Sequence, residues 1–246
     1  AELIEQKPCN ALVSAVKKTT SPNEILPLSD FQLLLWLSNA FAPKIRKLNI
    51  IGRKRMVGKL NVAALANAFE QLFQKHQLFS FQVFKLKPAQ CYQEDLSWAI
   101  EETDISSFNA SERELALLSS IDDLMNYYPW PKTSNLIKAK LFYLDNGMSE
   151  LQLAIPHIIS DGMSMNLIWA DLSSFYLSQQ KKLAPVVQYQ EYIANEQAYV
   201  SAHFSRDHVF WKNYLKETVL LTLPEIITVK KARSFKKKKK IPEHAL

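Results

Sequence analysis

In a chain of 246 residues, the stretch PHIISDG carries the clearest chemistry: His157, with Asp161 four residues on and Gly162 beside it. An imidazole titrates near neutrality, so a histidine held at the end of a rigid strand can take a proton from an attacking amine or alcohol. Asp161 can fold back to brace the turn, or offer a counter-charge that fixes the path from strand to helix. Gly162 permits backbone angles that a side chain forbids. The candidate site is therefore His157 for catalysis, with Asp161 and Gly162 in support. Taken alone the pattern is weak, because a His-x-x-x-Asp-Gly string arises by chance in on the order of a few per cent of chains this long.

The other reactive residue types point to less. His76 ends a helix, where a cation suits the dipole, and His203 and His208 sit in polar helical surroundings without Cys or carboxylate partners at ligand spacing. No metal centre is expected. Cys9 and Cys91 make neither a disulfide framework nor a metal-ligand pattern and are expected to be inert thiols. Trp36, Trp169 and Trp211 fall on apolar helical faces and are expected in the core.

The elements that must position His157 can be read from periodicity. Residues 1–24 show no sustained period and end in the turn-rich TTSPNE, as a leader or linker would. Ser29 stands as an N-cap before a short helix in which Phe31, Leu34, Leu35 and Leu37 follow at helical spacing. KLNIIGRKRMVGKL suits a half-exposed strand. Asn61 then precedes a helix whose Val62, Leu65, Ala66, Phe69, Leu72 and Phe73 share one face. LFSFQVFKL reads as a strand broken by Pro88, with CYQ pairing back onto it. A helix capped by Ser111 runs to about Met125 and leads into the aromatic NYYPWP. LIKAKLFYLD and ELQLAIPHI, joined across an Asn-Gly turn, form a hairpin that ends at His157. A helix with Met165, Ile168, Trp169, Leu172, Phe175 and Tyr176 on its apolar face packs back on the sheet. Two more helical stretches, Gln188 to His203 and Arg206 to Leu215, complete the pattern. The expected fold class is α/β (α+β), a mixed β-sheet covered by helices.

Composition excludes several function classes. With 48% apolar and 11% aromatic residues the chain can bury a sizeable core. No run approaches the roughly 20 apolar residues of a membrane-spanning helix, and AELIEQKPCN lacks the order of a secretion signal. A cytoplasmic protein without membrane partners is expected. The net charge of +6 is local: eight of the 30 basic residues, and none of the 24 acidic ones, lie between Lys230 and Lys240. Such a run attracts polyanions, but a solvated loop or tail is its commoner meaning, and no nucleic-acid partner is expected.

Four segments, in order, resemble motifs of the condensation domains of nonribosomal peptide synthetases. PLSDFQLLLWL resembles the opening Ser-x-x-Gln-x-x-Leu-Trp motif through Ser29, Gln32, Leu35 and Trp36. LNVAALANAFEQLFQKHQLFSFQVF resembles the helix and strand of the Arg-His-Glu-x-Leu-Arg motif, with Lys75, His76 and Gln77 for its first three letters. IPHIISDGMS resembles the His-His-x-x-x-Asp-Gly core, and VQYQEYIANEQAYV with FWKNYL resembles the Tyr-x-Asp-Tyr motif and the helix that trails it. The resemblance covers about Ile25 to Pro224, with 225–246 as a basic crossover or tail. It implies the N-terminal half of a chloramphenicol-acetyltransferase-like fold, in which two halves form a V crossed by a tunnel. His157 matches the histidine at the tunnel's centre. It further implies that donor and acceptor arrive as thioesters on the phosphopantetheine arms of acyl or peptidyl carrier proteins, or on CoA, with no bound cofactor. The acceptor amine, or a hydroxyl, then attacks the donor carbonyl.

Two letters depart from that pattern. Pro156 replaces the first histidine of the core and removes a backbone donor. The arginine that in the family pairs with the core aspartate falls on Ser80, so Asp161 is expected to need a substitute cation or a water, as a buried carboxylate left alone is costly. The family's C-terminal half has no counterpart before the sequence stops at IPEHAL, and is expected as a partner. The face that meets it is expected to be apolar and exposed, favouring self-association. The competing reading is a non-catalytic condensation-like module that recruits a carrier protein or tailoring enzyme.

Overall fold

The computed structural model describes residues 24–41, 48–93, 98–127, 136–177 and 186–218. Cys9, most of the aromatic NYYPWP stretch and the basic run from Lys230 lie outside them. The chain divides into two compact units, 1–201 and 202–246.

The first unit carries two sheets. Strands β2 (Asn49–Val57), β7 (Met148–Pro156), β6 (Lys138–Tyr143) and β5 (Ile100–Asp104) lie side by side in that order. Both β2 and β6 run antiparallel to β7, whereas β5 is parallel to β6, so the sheet is mixed. A smaller antiparallel sheet has the order β1 (Ile25–Pro27), β4 (Ala89–Tyr92), β3 (Phe81–Val83).

The central strand β7 ends at His157, and its own alternation explains its place. Leu151, Leu153 and Ile155 point to one face, where they join Leu65, Phe69 and Leu72 of helix α2 (Val62–Lys75) and Met165, Ile168 and Leu172 of helix α4 (Gly162–Tyr176) in one apolar cluster. Each such side chain contributes about 1.5–3 kcal/mol on burial. On the other face Glu150 and Gln152, both fully buried, meet helix α3 (Ala110–Met125), where Gln152 Nε2 donates to the Leu117 carbonyl at 3.3 Å. Arg53 and Arg55 of β2 bond Glu150 at 2.8 and 2.9 Å. Burial works against the charge on Glu150, but hydrogen bonds from Arg53, Gln152 and Arg55 outweigh it and hold its carboxyl below the ordinary glutamate value.

Helix α4 lies close on β2 because Gly52 has no side chain: a Cβ there would stand 2.6 Å from Met165 Sδ and 3.0 Å from the Trp169 ring. The β6–β7 hairpin turns where expected. Asn146 and Gly147 both take positive φ, 55° and 67°, which suits the Asn-Gly pair.

Several expectations need correction. Residues Gln77–Ser80 form a single 3-10 turn, and only Phe81–Val83 of the expected strand pairs with β4. Helix α3 is capped by Asn109, whose side chain accepts from the N–H groups of Ser111 and Glu112 while Glu112 bonds back to Asn109 N–H. The two expected terminal helices are one, α5 (Tyr189–Tyr214). Helix α1 (Asp30–Phe41) is apolar all round, and Phe31, Leu34, Leu37 and Phe41 face solvent, while Leu35 and Trp36 pack on the core. In the second unit, Phe210, Trp211 and Tyr214 form a ring cluster on α5 with Trp211 exposed, against the expectation of a core tryptophan.

Candidate functional site

His157 follows the last residue of β7, and its own N–H continues the ladder by donating to the Leu48 carbonyl at 2.7 Å. The chain then turns within four residues: Ile159 N–H donates to the Pro156 carbonyl at 3.1 Å, as does the Ser160 hydroxyl at 3.0 Å. This turn brings the Ser160 carbonyl to 2.8 Å from His157 Nδ1. A carbonyl oxygen can only accept, so Nδ1 carries a proton and in the neutral ring the free lone pair sits on Nε2. Nε2 has no hydrogen-bond partner among the described residues. The half-buried imidazole packs on the ring of Phe31 of α1 in a tilted, T-shaped contact, with ring centroids 5.7 Å apart. A histidine held on two sides with its basic nitrogen unbonded can serve as a general base.

Asp161 does not have the surroundings expected of it. It is exposed and caps helix α4, where Oδ1 accepts from Ser164 N–H and from the Ser164 hydroxyl, both at 2.7 Å, and the hydroxyl in turn accepts from Asp161 N–H. The Ser164 hydroxyl and backbone bonds hold its carboxyl below the ordinary aspartate value against slight burial, helped by the Met163 N–H and the charge of His157. The missing arginine therefore leaves no buried charge behind. Ser80 closes the 3-10 turn and its carbonyl accepts from Gln93 N–H. Gly162 is also corrected: it opens α4 outside the positive-φ region, and a Cβ there would meet nothing within 4 Å. The fold does not require glycine at that position.

The remaining motif residues tie neighbouring elements together. Ser29 and Gln32 form a reciprocal cap on α1, Gln32 N–H donating to Ser29 Oγ and Ser29 N–H to Gln32 Oε1. Gln32 also exchanges side-chain hydrogen bonds with buried Gln90, and Trp36 Nε1 donates to the Phe84 carbonyl at 2.8 Å. The Ser29 hydroxyl lies 2.9 Å from that of Tyr189. Lys75 and His76 both bond Asp171 on α4, each at 2.7 Å. Burial opposes that carboxylate's charge, but Lys75 and His76 outweigh it and keep its pKa low. Asp171, Gln90 and Tyr189 were not singled out by sequence reasoning. An aspartate between Trp169 and Leu172, the one charged residue of α4, was the available signal for the first.

A sequence profile of the condensation domain matches residues 23–243 of this chain. The chain belongs to the condensation-domain family. It is 28% identical over 233 residues to a linear gramicidin synthase of Brevibacillus parabrevis, covering 91% of this chain and 4% of the synthase. The fold resembles the cyclization-docking bidomain of the EpoB synthetase of Sorangium cellulosum, with TM-score 0.67 and 23% identity over 79% of this chain and 39% of that one. It also resembles a starter condensation domain of rhizomide synthetase RzmA solved in complex with C8-CoA, with TM-score 0.66 and 17% identity over 79% of this chain and 46% of that one. The chain thus spans a few per cent of the synthase it matches and under half of these solved chains. The condensation-type fold, a mixed sheet backed by helices, is as expected. Among the described residues, no helix is long and apolar enough to cross a membrane, and no three His, Cys, Asp or Glu side chains gather as a metal cage.

Proposed function

We propose that this chain supplies the histidine-bearing N-terminal half, residues 25–224, of a condensation-type acyltransferase that joins two phosphopantetheine-borne acyl groups. Residues 1–24 serve as a leader or linker and 225–246 as a basic crossover or tail. The observation that carries the reading is the orientation of His157: Nδ1 is spent on the Ser160 carbonyl, and Nε2 is left without a partner among the described residues. An acceptor amine attacks the carbonyl carbon of the donor thioester, and His157 Nε2 takes the proton that the amine loses. The new C–N bond forms, the C–S bond breaks, and the proton passes to the departing thiolate, which leaves as the thiol of the donor arm. Positioning of the two thioesters supplies the rest of the acceleration. Carrier proteins are the proposed partners, with CoA thioesters as the alternative donors.

A second reading, a non-catalytic module that recruits a carrier protein or tailoring enzyme, is favoured by Ser80 and Pro156 standing where the family has arginine and histidine. Replacing His157 by Ala in the complete synthetase assembly separates the two. The acyltransferase reading expects the amide product to be lost while both carrier proteins remain loaded, and an unchanged product yield would establish the recruiting role instead.

A further inference from the structure

Beside the His157 turn, a cleft of about 360 Å³ opens between the 3-10 turn Gln77–Ser80, the start of α4 and the start of α5. Its floor is the buried Phe79, Ile159 and Ile168, and its rim is the exposed Leu167 and Val187. Two of its members belong to the catalytic turn itself: Ile159 is two residues from His157, and Ser164 is the hydroxyl that Asp161 holds.

The polar groups that line the cleft are already spent inside the protein. Ser164 bonds Asp161, Tyr189 bonds Ser29, Tyr192 donates to Glu196 at 3.0 Å, and His76 bonds Asp171. The amide of Gln188 donates to the Lys75 carbonyl and accepts from Gln77 N–H. What the cleft offers an incoming group is therefore mainly apolar surface, from Leu78, Phe79, Ile159, Leu167, Ile168 and Val187. A charged group placed there would lose its water and find no opposite charge free to replace it, whereas an apolar one loses nothing.

Resting on the reading of His157 given above, we infer that this cleft is a selectivity pocket for the acyl group presented to His157, and that it takes an apolar side chain of aromatic or branched aliphatic size. The cleft meets the catalytic turn at Ile159, and it is there that the side chain of a thioester held at His157 would enter.

The test uses the full 246-residue chain, labelled at the Ile and Leu methyls, titrated by NMR with three pantetheine thioesters: acetyl, phenylacetyl and succinyl. Phenylacetyl-pantetheine is expected to bind roughly tenfold or more tighter than acetyl-pantetheine, the discrimination that one well-buried apolar group supplies, and to shift the methyls of Ile159 and Leu167. Succinyl-pantetheine gains nothing over acetyl. Leu167→Trp, which fills the mouth, and Val187→Asp, which charges it, each remove the phenylacetyl advantage; both positions are exposed, so neither change threatens the core. The readout is binding and not turnover, so a failed catalytic reading and a failed pocket are told apart. Equal affinity for acetyl and phenylacetyl thioesters, or a preference that survives both rim variants with the Ile159 methyl unmoved, overturns the inference.

Discussion

His157 is fixed by contacts of two kinds, a hydrogen bond from Nδ1 to the Ser160 carbonyl and a tilted ring contact with Phe31. The first of these sets the tautomer. We expect the neutral side chain to be protonated on Nδ1, in contrast to the Nε2–H form usual for an unconstrained imidazole, and the nitrogen-15 shifts of the ring report it directly; a ring protonated on Nε2 would contradict the geometry. Asp161 acts on the backbone of α4 and not on a cation. Asp161→Ala should cost about 1 kcal/mol in chemical denaturation, the usual loss when a cap is removed, and Asp161→Asn, which can still accept from Ser164 N–H, should recover most of it. At this scale the sequence was only partly informative. The Asp-x-x-Ser spacing of a helix cap was present, but the family pattern drew attention to an absent arginine, and burial, which decides whether a carboxylate needs a cation, is not written in local spacing. Gly162 shows the same limit, because its spacing matched a motif whose backbone constraint this turn does not impose.

Between elements, β2 meets α4 closely at Gly52, where a Cβ would stand 2.6 Å from Met165 Sδ. Gly52→Ala should force Met165 and Trp169 apart and destabilise the fold by about 1–3 kcal/mol, as overpacking does; a denaturation midpoint equal to that of the unchanged protein would show that α4 yields freely. Helix α2 and the β6–β7 hairpin were legible because each carries a strong local signal, a 3.6-residue stripe ending in capped termini and an Asn-Gly turn between alternating strands. The 3-10 turn Gln77–Ser80 was not, since LFSF alternates as a strand does and is set aside only by tertiary packing of Phe79 into the core. The break expected inside α5 failed for a related reason. Polar residues around Ser205 resemble a loop in composition, yet no glycine or proline interrupts the helix there.

Over the whole molecule, the buried network of Glu150 with Arg53, Arg55 and Gln152 ties the central strand to its edge neighbour. Its carboxyl has a lower pKa in the folded chain than when unfolded, so its contribution to stability is fully present above the ordinary glutamate value of 4.5 and is lost as the pH falls through the folded value. Glu150→Gln should therefore lower stability at neutral pH and flatten the decline expected below pH 4.5 in the unchanged protein; parallel pH curves for the two would remove Glu150 as the cause. The family and the mixed, helix-backed sheet were legible from four ordered motifs, because each motif turned out to join elements: Ser29 and Gln32 link α1 to the small sheet and α5, and Lys75 and His76 link α2 to α4. The exposed apolar stripe of α1 was not legible, because a helix apolar on every side does not announce which side is covered. The central claim is that Nε2 of His157 removes a proton in acyl transfer. The most direct measurement is the single-turnover rate of amide formation by the complete assembly, with both carrier proteins loaded, for the unchanged protein and for His157→Ala. We predict a fall on the order of 100-fold or more, the contribution of a positioned general base; equal rates in the two proteins would contradict the account.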